Sequence, residues 1–210
     1  MNIVPAVLTE KREELIKMLA QSAQFCDYVQ IDIMDGSFVP SRSARQEDLE
    51  GIPVPLRFEA HLMVVEPEDW LDAITQLGVE RIIYHCEINK DHRRLIRTIR
   101  DYGVGVGLAV NPDTSLEAFR DFVPDVDTIL FMTVNPGFYG SKFVPQVIPK
   151  IKKFRKLFPH TNIGIDGGMT YDTIGEVVPL GLDYICIGSA IFKAPYPPQA
   201  FANFKKIVDE

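Results

Sequence analysis

Cysteine, basic charge and long apolar runs are all scarce in this 210-residue chain. The three cysteines, Cys26, Cys86 and Cys186, are odd in number and far apart, so neither a disulfide framework nor a CxxC zinc or redox pattern is available. Lysine and arginine together number 22 against 29 aspartates and glutamates, a formal net charge of −7. Without a basic excess to neutralise phosphates, nucleic acid and anionic membrane are not expected partners. A small phosphorylated ligand needs only a local site and is not excluded. No apolar run reaches the length of a membrane-crossing helix. The start, MNIVPAVLTEKREEL, lacks the basic and long apolar segments of a secretory signal. A cytoplasmic protein is the expectation. Linkers, low-complexity runs and charge blocks are also missing, so residues 1–210 read as one domain.

What is present is an ordinary globular composition, 46% hydrophobic and 24% charged, able to bury a substantial core. Short β-branched apolar runs recur at Ile3–Leu8, Tyr28–Met34, Leu56–Met63, Arg81–Cys86, Val104–Val110, Thr128–Met132, Asn162–Asp166 and Tyr184–Ile187. Amphipathic stretches with helical spacing lie between them, such as EELIKMLAQSA, PEDWLDAITQLG, HRRLIRTIRDYG, SLEAFRDF and VPQVIPKIKKFRKLF. The weakest follows the second strand, where only ARQEDLEG is available. Eight strand–helix units predict an α/β fold, the (β/α)8 TIM barrel. A doubly wound sheet shares the alternation, but eight even units with no GxGxxG after the first strand favour the barrel.

Strand side chains alternate between barrel interior and surrounding helices. In the second strand Val29, Ile31 and Ile33 share one face, opposite Tyr28, Gln30, Asp32 and Met34. In the third, Phe58, Ala60 and Leu62 oppose Arg57, Glu59, His61 and Met63; in the seventh, Ile163 and Ile165 oppose Asn162, Gly164 and Asp166. Each strand thus offers an apolar face to helices and a polar face to the interior. Polar groups near the carboxyl ends of barrel strands are where active sites are built, and Asp32, His61 and Asp166 occupy such positions.

Two carboxylates and an imidazole at a barrel mouth suit either a metal such as zinc, iron or manganese or an acid/base pair. Two aspartates on opposite sides of a substrate can remove a proton from one face and return one to the other, provided one is ionised and its partner protonated. A metal would stabilise the enediolate formed by proton loss next to a carbonyl. A second signal is a set of glycine turns after the last strands: NPGFYG, DGG and IGSAIF. Phosphate sites after strands seven and eight recur in such barrels.

The segments IDIMDGSFVP, EAHLMV, YHCE, AVNPDTSLEAF, MTVNPGF, IDGG and IGSAIF occur in the order and spacing of the ribulose-phosphate 3-epimerase family. The chain resembles that family from Pro5 to Phe192. The resemblance implies a phosphate-binding barrel that inverts C3 of a ketose phosphate, ribulose 5-phosphate or a close analogue. It implies Asp32 and Asp166 as the proton-transfer acids and, with His61, as ligands of a divalent metal. It puts His61, Met34, Met63 and Met132 beside the substrate. The phosphate falls to the loops holding Gly137, Phe138, Tyr139 and Gly140, Gly167 and Gly168, and Gly188 and Ser189. A homo-oligomer, dimer or hexamer, is the family's usual state.

Some positions depart from the family pattern. Gln30 stands where a second metal-binding histidine is usual. Ala6 replaces a serine, Tyr139 a glycine and Ser37 a histidine, and SRSARQEDL shortens the next connection. Glutamine oxygen is a poor substitute for imidazole towards zinc or iron, which shifts the expected cation towards manganese or magnesium, or removes it. The alternatives are therefore a metal-free, catalytically weak or binding-only paralogue, or an epimerase for a different ketose phosphate.

Plainer roles are available for the same residues. Asp32 could pair with Arg57, Asp166 could merely set its turn, and His61 could be a hydrogen-bonded interior histidine. The three methionines suit core filling. His85 and Glu87 read as a supporting pair, His92 and His160 as surface residues, and Asp35 as a loop-fixing carboxylate. Arg42 and Arg45 read as solvated charges or as reaching an anion at the mouth.

Overall fold

The computed structural model describes residues 1–138 and 140–209. Eight parallel strands close into a barrel in chain order: β1 (Asn2–Val7), β2 (Tyr28–Met34), β3 (Arg57–Met63), β4 (Arg81–His85), β5 (Gly105–Val110), β6 (Thr128–Met132), β7 (Asn162–Asp166) and β8 (Tyr184–Ile187). β1 pairs with both β2 and β8, which closes the ring and leaves no open edge. The TIM barrel expected from the alternating pattern is the observed fold.

Around it run α1 (Arg12–Ser22), α2 (Gln46–Leu49), α3 (Leu71–Thr75), α4 (His92–Asp101), α5 (Leu116–Phe119), α6 (Ile148–Leu157), α7 (Ile174–Val177), α8 (Ser189–Phe192) and α9 (Pro197–Asp209). α4 starts where the Asp91 carboxylate accepts the N–H of Arg94, a side-chain cap for an otherwise unpaired donor. It buries Leu95, Ile96 and Ile99 against the sheet. α6 carries Pro149 in its first turn and Arg155 and Lys156 in its last, matching the preferences of helix ends. α2 is a single turn, as its short sequence implied. Among the described residues no helix is long and apolar enough to cross a membrane.

The alternation of faces holds. Val29, Ile31, Ile33, Phe58, Ala60, Leu62, Ile163 and Ile165 join the core between sheet and helices. Inside the barrel, Glu59 is fully buried and forms an ion pair with Arg81, and the Arg81 guanidinium lies over the Tyr184 ring. These groups form a floor beneath the mouth. His160 is exposed, as expected. His92 is not a surface residue: it is half-buried, stacks on Tyr84 and meets the tilted ring of Phe122, because the apolar face of α4 carries its first residue inward.

Candidate active site

Asp32 near the end of β2 and Asp166 at the end of β7 come from strands separated by β1 and β8. Those intervening strands contribute small side chains at this level, Ala6 opposite Gln30 and Cys186 opposite Asp166. The room they leave lets Gln30 reach across the interior. Its Nε2 donates to Asp32 Oδ1 and to Asp166 Oδ2, each at 2.9 Å. Its Oε1 accepts from Cys186 Sγ at 3.1 Å. The amide direction follows from its neighbours, since ionised carboxylates only accept hydrogen bonds and the thiol can donate one.

His61 sits opposite Asp32 in the β2–β3 register. Its Nδ1 lies 3.1 Å from Asp32 Oδ1 and 3.3 Å from Asp166 Oδ2. Burial raises the Asp32 carboxyl, Asp166 raises it further, and hydrogen bonds from His61 and Gln30 oppose, leaving it at about 6. Burial alone would discharge His61, but the two carboxylates outweigh it and hold the imidazole up to about 9. Arg57, the alternative partner for Asp32, pairs instead with Asp27 and Glu80.

Behind His61 the proton positions are fixed by a chain of buried bonds. His61 Nε2 is 3.0 Å from His85 Nε2, and His85 Nδ1 is 3.2 Å from Glu87 Oε2. Glu87 Oε1 accepts from the Asn111 N–H at 2.7 Å and the Thr114 hydroxyl at 2.5 Å. Burial opposes the Glu87 charge, but hydrogen bonds from His85, Thr114 and Asn111 prevail and lower the carboxyl to about 2. Glu87 therefore accepts a hydrogen bond from His85 Nδ1–H. Burial lowers His85 to about 4 and keeps it neutral, so its Nε2 accepts from His61 Nε2–H. His61 is left with Nδ1 facing the carboxylates. The supporting role read for His85 and Glu87 is thus one of orienting His61.

A cavity opens above, at the carboxyl ends of the strands. Asp32 and Asp166 line it together with Met34, Met63 and Met132. Gly137, Phe138, Gly140, Gly167, Gly168, Gly188 and Ser189 line its other side. Tyr139 lies outside the described residues. His61 is absent from the lining; it is fully buried against the carboxylates. Two glycines here have a steric reason. At Gly167 (φ 105°) a Cβ would lie 2.4 Å from the Val134 side chain, and at Gly168 (φ 71°) 2.6 Å from the Phe143 backbone. Thr133 Oγ1 donates to the carbonyls of Asp166 and Gly167, pinning the turn that carries Asp166. Asp35 fixes its loop by accepting from the N–H groups of Ser37, Phe38 and Val65. Arg42 pairs with Asp35 through an isolated antiparallel backbone bridge and lies over Gly36, and Arg45 pairs with Glu47 and Asp48; neither lines the mouth cavity.

Donor atoms of Asp32, His61 and Asp166 all lie within 4.8 Å of one another, so this buried group could hold a metal. With Nε2–H committed to His85, Nδ1 is the only atom of His61 that faces the pair, and it could serve a metal only after giving up the proton it shares with the carboxylates. Gln30 presents hydrogens rather than oxygen to the same place, so its amide adds no fourth donor as oriented. Sequence reasoning noted Ala6 only as a departure from the family's serine and did not find Cys186 as part of the site; the signal for Cys186 was small size at the inward position paired with Asp166.

The sequence model of the ribulose-phosphate 3-epimerase family matches residues 2–192. The chain belongs to this family. Ribulose-phosphate 3-epimerase of Candida glabrata is 34% identical over 200 residues, covering 87% of this chain and 81% of the relative. The Schizosaccharomyces pombe ribulose-phosphate 3-epimerase is 30% identical over 213 residues, covering 99% and 93%. Among solved structures, a 3-hexulose-6-phosphate synthase superposes with a TM-score of 0.72 at 12% identity, covering 98% of this chain and 99% of that one. Orotidine 5'-monophosphate decarboxylase from Sulfolobus solfataricus gives 0.66 at 16% identity, covering 99% and 97%. At such identity the two structures speak to the fold alone. Membership of the epimerase family agrees with the resemblance carried by IDIMDGSFVP, MTVNPGF and IGSAIF.

Proposed function

We propose that the chain inverts C3 of a ketose phosphate, converting ribulose 5-phosphate to xylulose 5-phosphate or acting on a close analogue. Membership of the ribulose-phosphate 3-epimerase family makes it an epimerase-type isomerase acting on carbohydrates. The observation that carries the mechanism is the pairing of Asp32 with Asp166: two carboxylates from non-adjacent strands, tied to the same two nitrogens, both reaching the mouth cavity. One takes the C3 proton from one face of the sugar, and the C–H electron pair moves into an enediolate. The other gives a proton to C3 from the opposite face, restoring the carbonyl. An Asp32 carboxyl at about 6 is protonated in a minority of molecules at neutral pH, so an acid and a base can coexist in one site.

His61, held at about 9, keeps positive charge beside both carboxylates. Met34, Met63 and Met132 form apolar walls that exclude water from the reacting carbon. The phosphate would be bound by backbone N–H groups of Gly137, Phe138 and Gly140, of Gly167 and Gly168, and of Gly188 and Ser189. Asp32, Asp166 and a deprotonated His61 are the residues that would hold a divalent metal (zinc, iron, manganese or magnesium), in competition with the Gln30 amide that already bridges the carboxylates; such a metal would supply charge stabilisation at the enediolate oxygens. A cytoplasmic homo-oligomer, dimer or hexamer, accompanies this reading. A binding-only paralogue is not favoured.

Deuterium wash-in tests the assignment. Protein incubated with ribulose 5-phosphate in D2O should exchange the C3 proton, and Asp166→Asn should abolish that exchange. Full exchange in the variant would overturn the role given to Asp166. A panel of other ketose phosphates identifies the preferred substrate without presupposing the product.

A further inference from the structure

Gln30 is fully buried, and its side-chain amide is used at both ends. The oxygens it holds, Asp32 Oδ1 and Asp166 Oδ2, are the same two that face His61 Nδ1. Each carboxylate therefore meets an amide N–H from one side and the imidazole from the other. Without such donors the two adjoining buried carboxylates would repel each other and lose their fixed geometry. Turning the Gln30 oxygen towards a cation would need the amide to rotate by half a turn. That rotation gives up the Cys186 S–H bond and points both N–H groups away from the carboxylates. The arrangement thus does without a cation what a cation between the two aspartates would do, and it competes with one.

Building on the two-aspartate reading above, we propose that Gln30 is a positioning residue that holds Asp32 and Asp166 as a proton-transfer pair with no metal between them. The protein then exchanges the C3 proton in its metal-free state and binds divalent metal only weakly through Asp32, His61 and Asp166. Cys186 is the second part of the device, because its thiol keeps the amide oxygen turned away from the carboxylates.

The test uses the full chain, wild type and two variants, after exhaustive chelation with metal content checked by mass spectrometry. Wild type should retain most of its wash-in rate on ribulose 5-phosphate. Gln30→His replaces the amide with an imidazole donor; its affinity for zinc, measured without substrate by competition with a chromogenic chelator, should rise at least about tenfold, and its wash-in should become chelator-sensitive. Gln30→Leu, confirmed as folded by thermal melt, should lose about 100-fold in kcat with little change in KM. If chelation abolishes wild-type exchange and added metal restores it, this inference fails while the proposed function stands. If Gln30→His binds zinc no more tightly than wild type, the inference fails whether or not any ketose phosphate is turned over. Absence of exchange in wild type with every metal and substrate would instead overturn the proposed function, and the zinc measurement would still decide the role of Gln30.

Discussion

Glu87 never touches the reacting carboxylates, yet its charge fixes the imidazole that does. The groups facing it are His85, the Asn111 N–H and the Thr114 hydroxyl. Lys150 secures that loop by donating to the carbonyls of Asn111, Pro112 and Thr114. Glu87 lies at about 2 against an ordinary 4.5. A depressed carboxyl contributes stability that is fully present above the ordinary value and lost as pH falls through the folded one. Glu87→Gln should therefore be less stable than wild type near neutrality, with the difference shrinking as pH falls from 4.5 towards 2. Urea unfolding at a series of pH values checks this; a difference independent of pH would refute it. The same residue-scale view shows how far the sequence carried. Asp32, His61 and Asp166 were legible because charge at inward, carboxyl-end strand positions has few structural uses. The amide geometry of Gln30 was not legible, because its partners include a residue 136 positions away.

Among the elements, the pair β7–β8 depends on a glycine. Gly164 faces Tyr184 in the register, and a Cβ at Gly164 would lie 2.2 Å from the Tyr184 ring. The ring fills the space a side chain would occupy, and it supports Arg81 in the floor beneath the site. Gly164→Ala should cost about 1–3 kcal/mol through overpacking, seen as a lower urea midpoint. Combining it with Tyr184→Leu should recover part of the loss; failure of that rescue would show that the ring is not the obstacle. On β2, β3 and β7 the faces were readable from periodicity because they differ sharply in polarity; the other strands, whose inward residues include Val4, Ile83, Ala109, Leu130 and Cys186, were readable only as short apolar runs. Helices were read less well: α3 and α5 are short and flanked by 3-10 turns, since the barrel needs only enough helix to cover each outer face, whatever the propensity of the flanking residues.

For the whole molecule, the expected homo-oligomer is the open prediction. Light scattering of purified protein should give a dimer or hexamer, and a monomer at micromolar concentration would refute that expectation. Closure of the barrel is the other property of this scale. Period-two alternation is a local rule, so the identity of every inward residue on β2, β3 and β7 follows from neighbouring residues along the chain. The turn DGG is readable locally, since both its glycines adopt positive φ, whereas the close approach of Val134 and Phe143 to them is tertiary. The meeting of Gln30 with Asp166, and of both with Cys186, has no local cause. It requires β8 to pair with β1, so that strands from opposite ends of the chain become neighbours across Ala6 and Cys186. Residue types set what each group can donate or accept; the closed ring alone sets which of them come within hydrogen-bonding distance of one another.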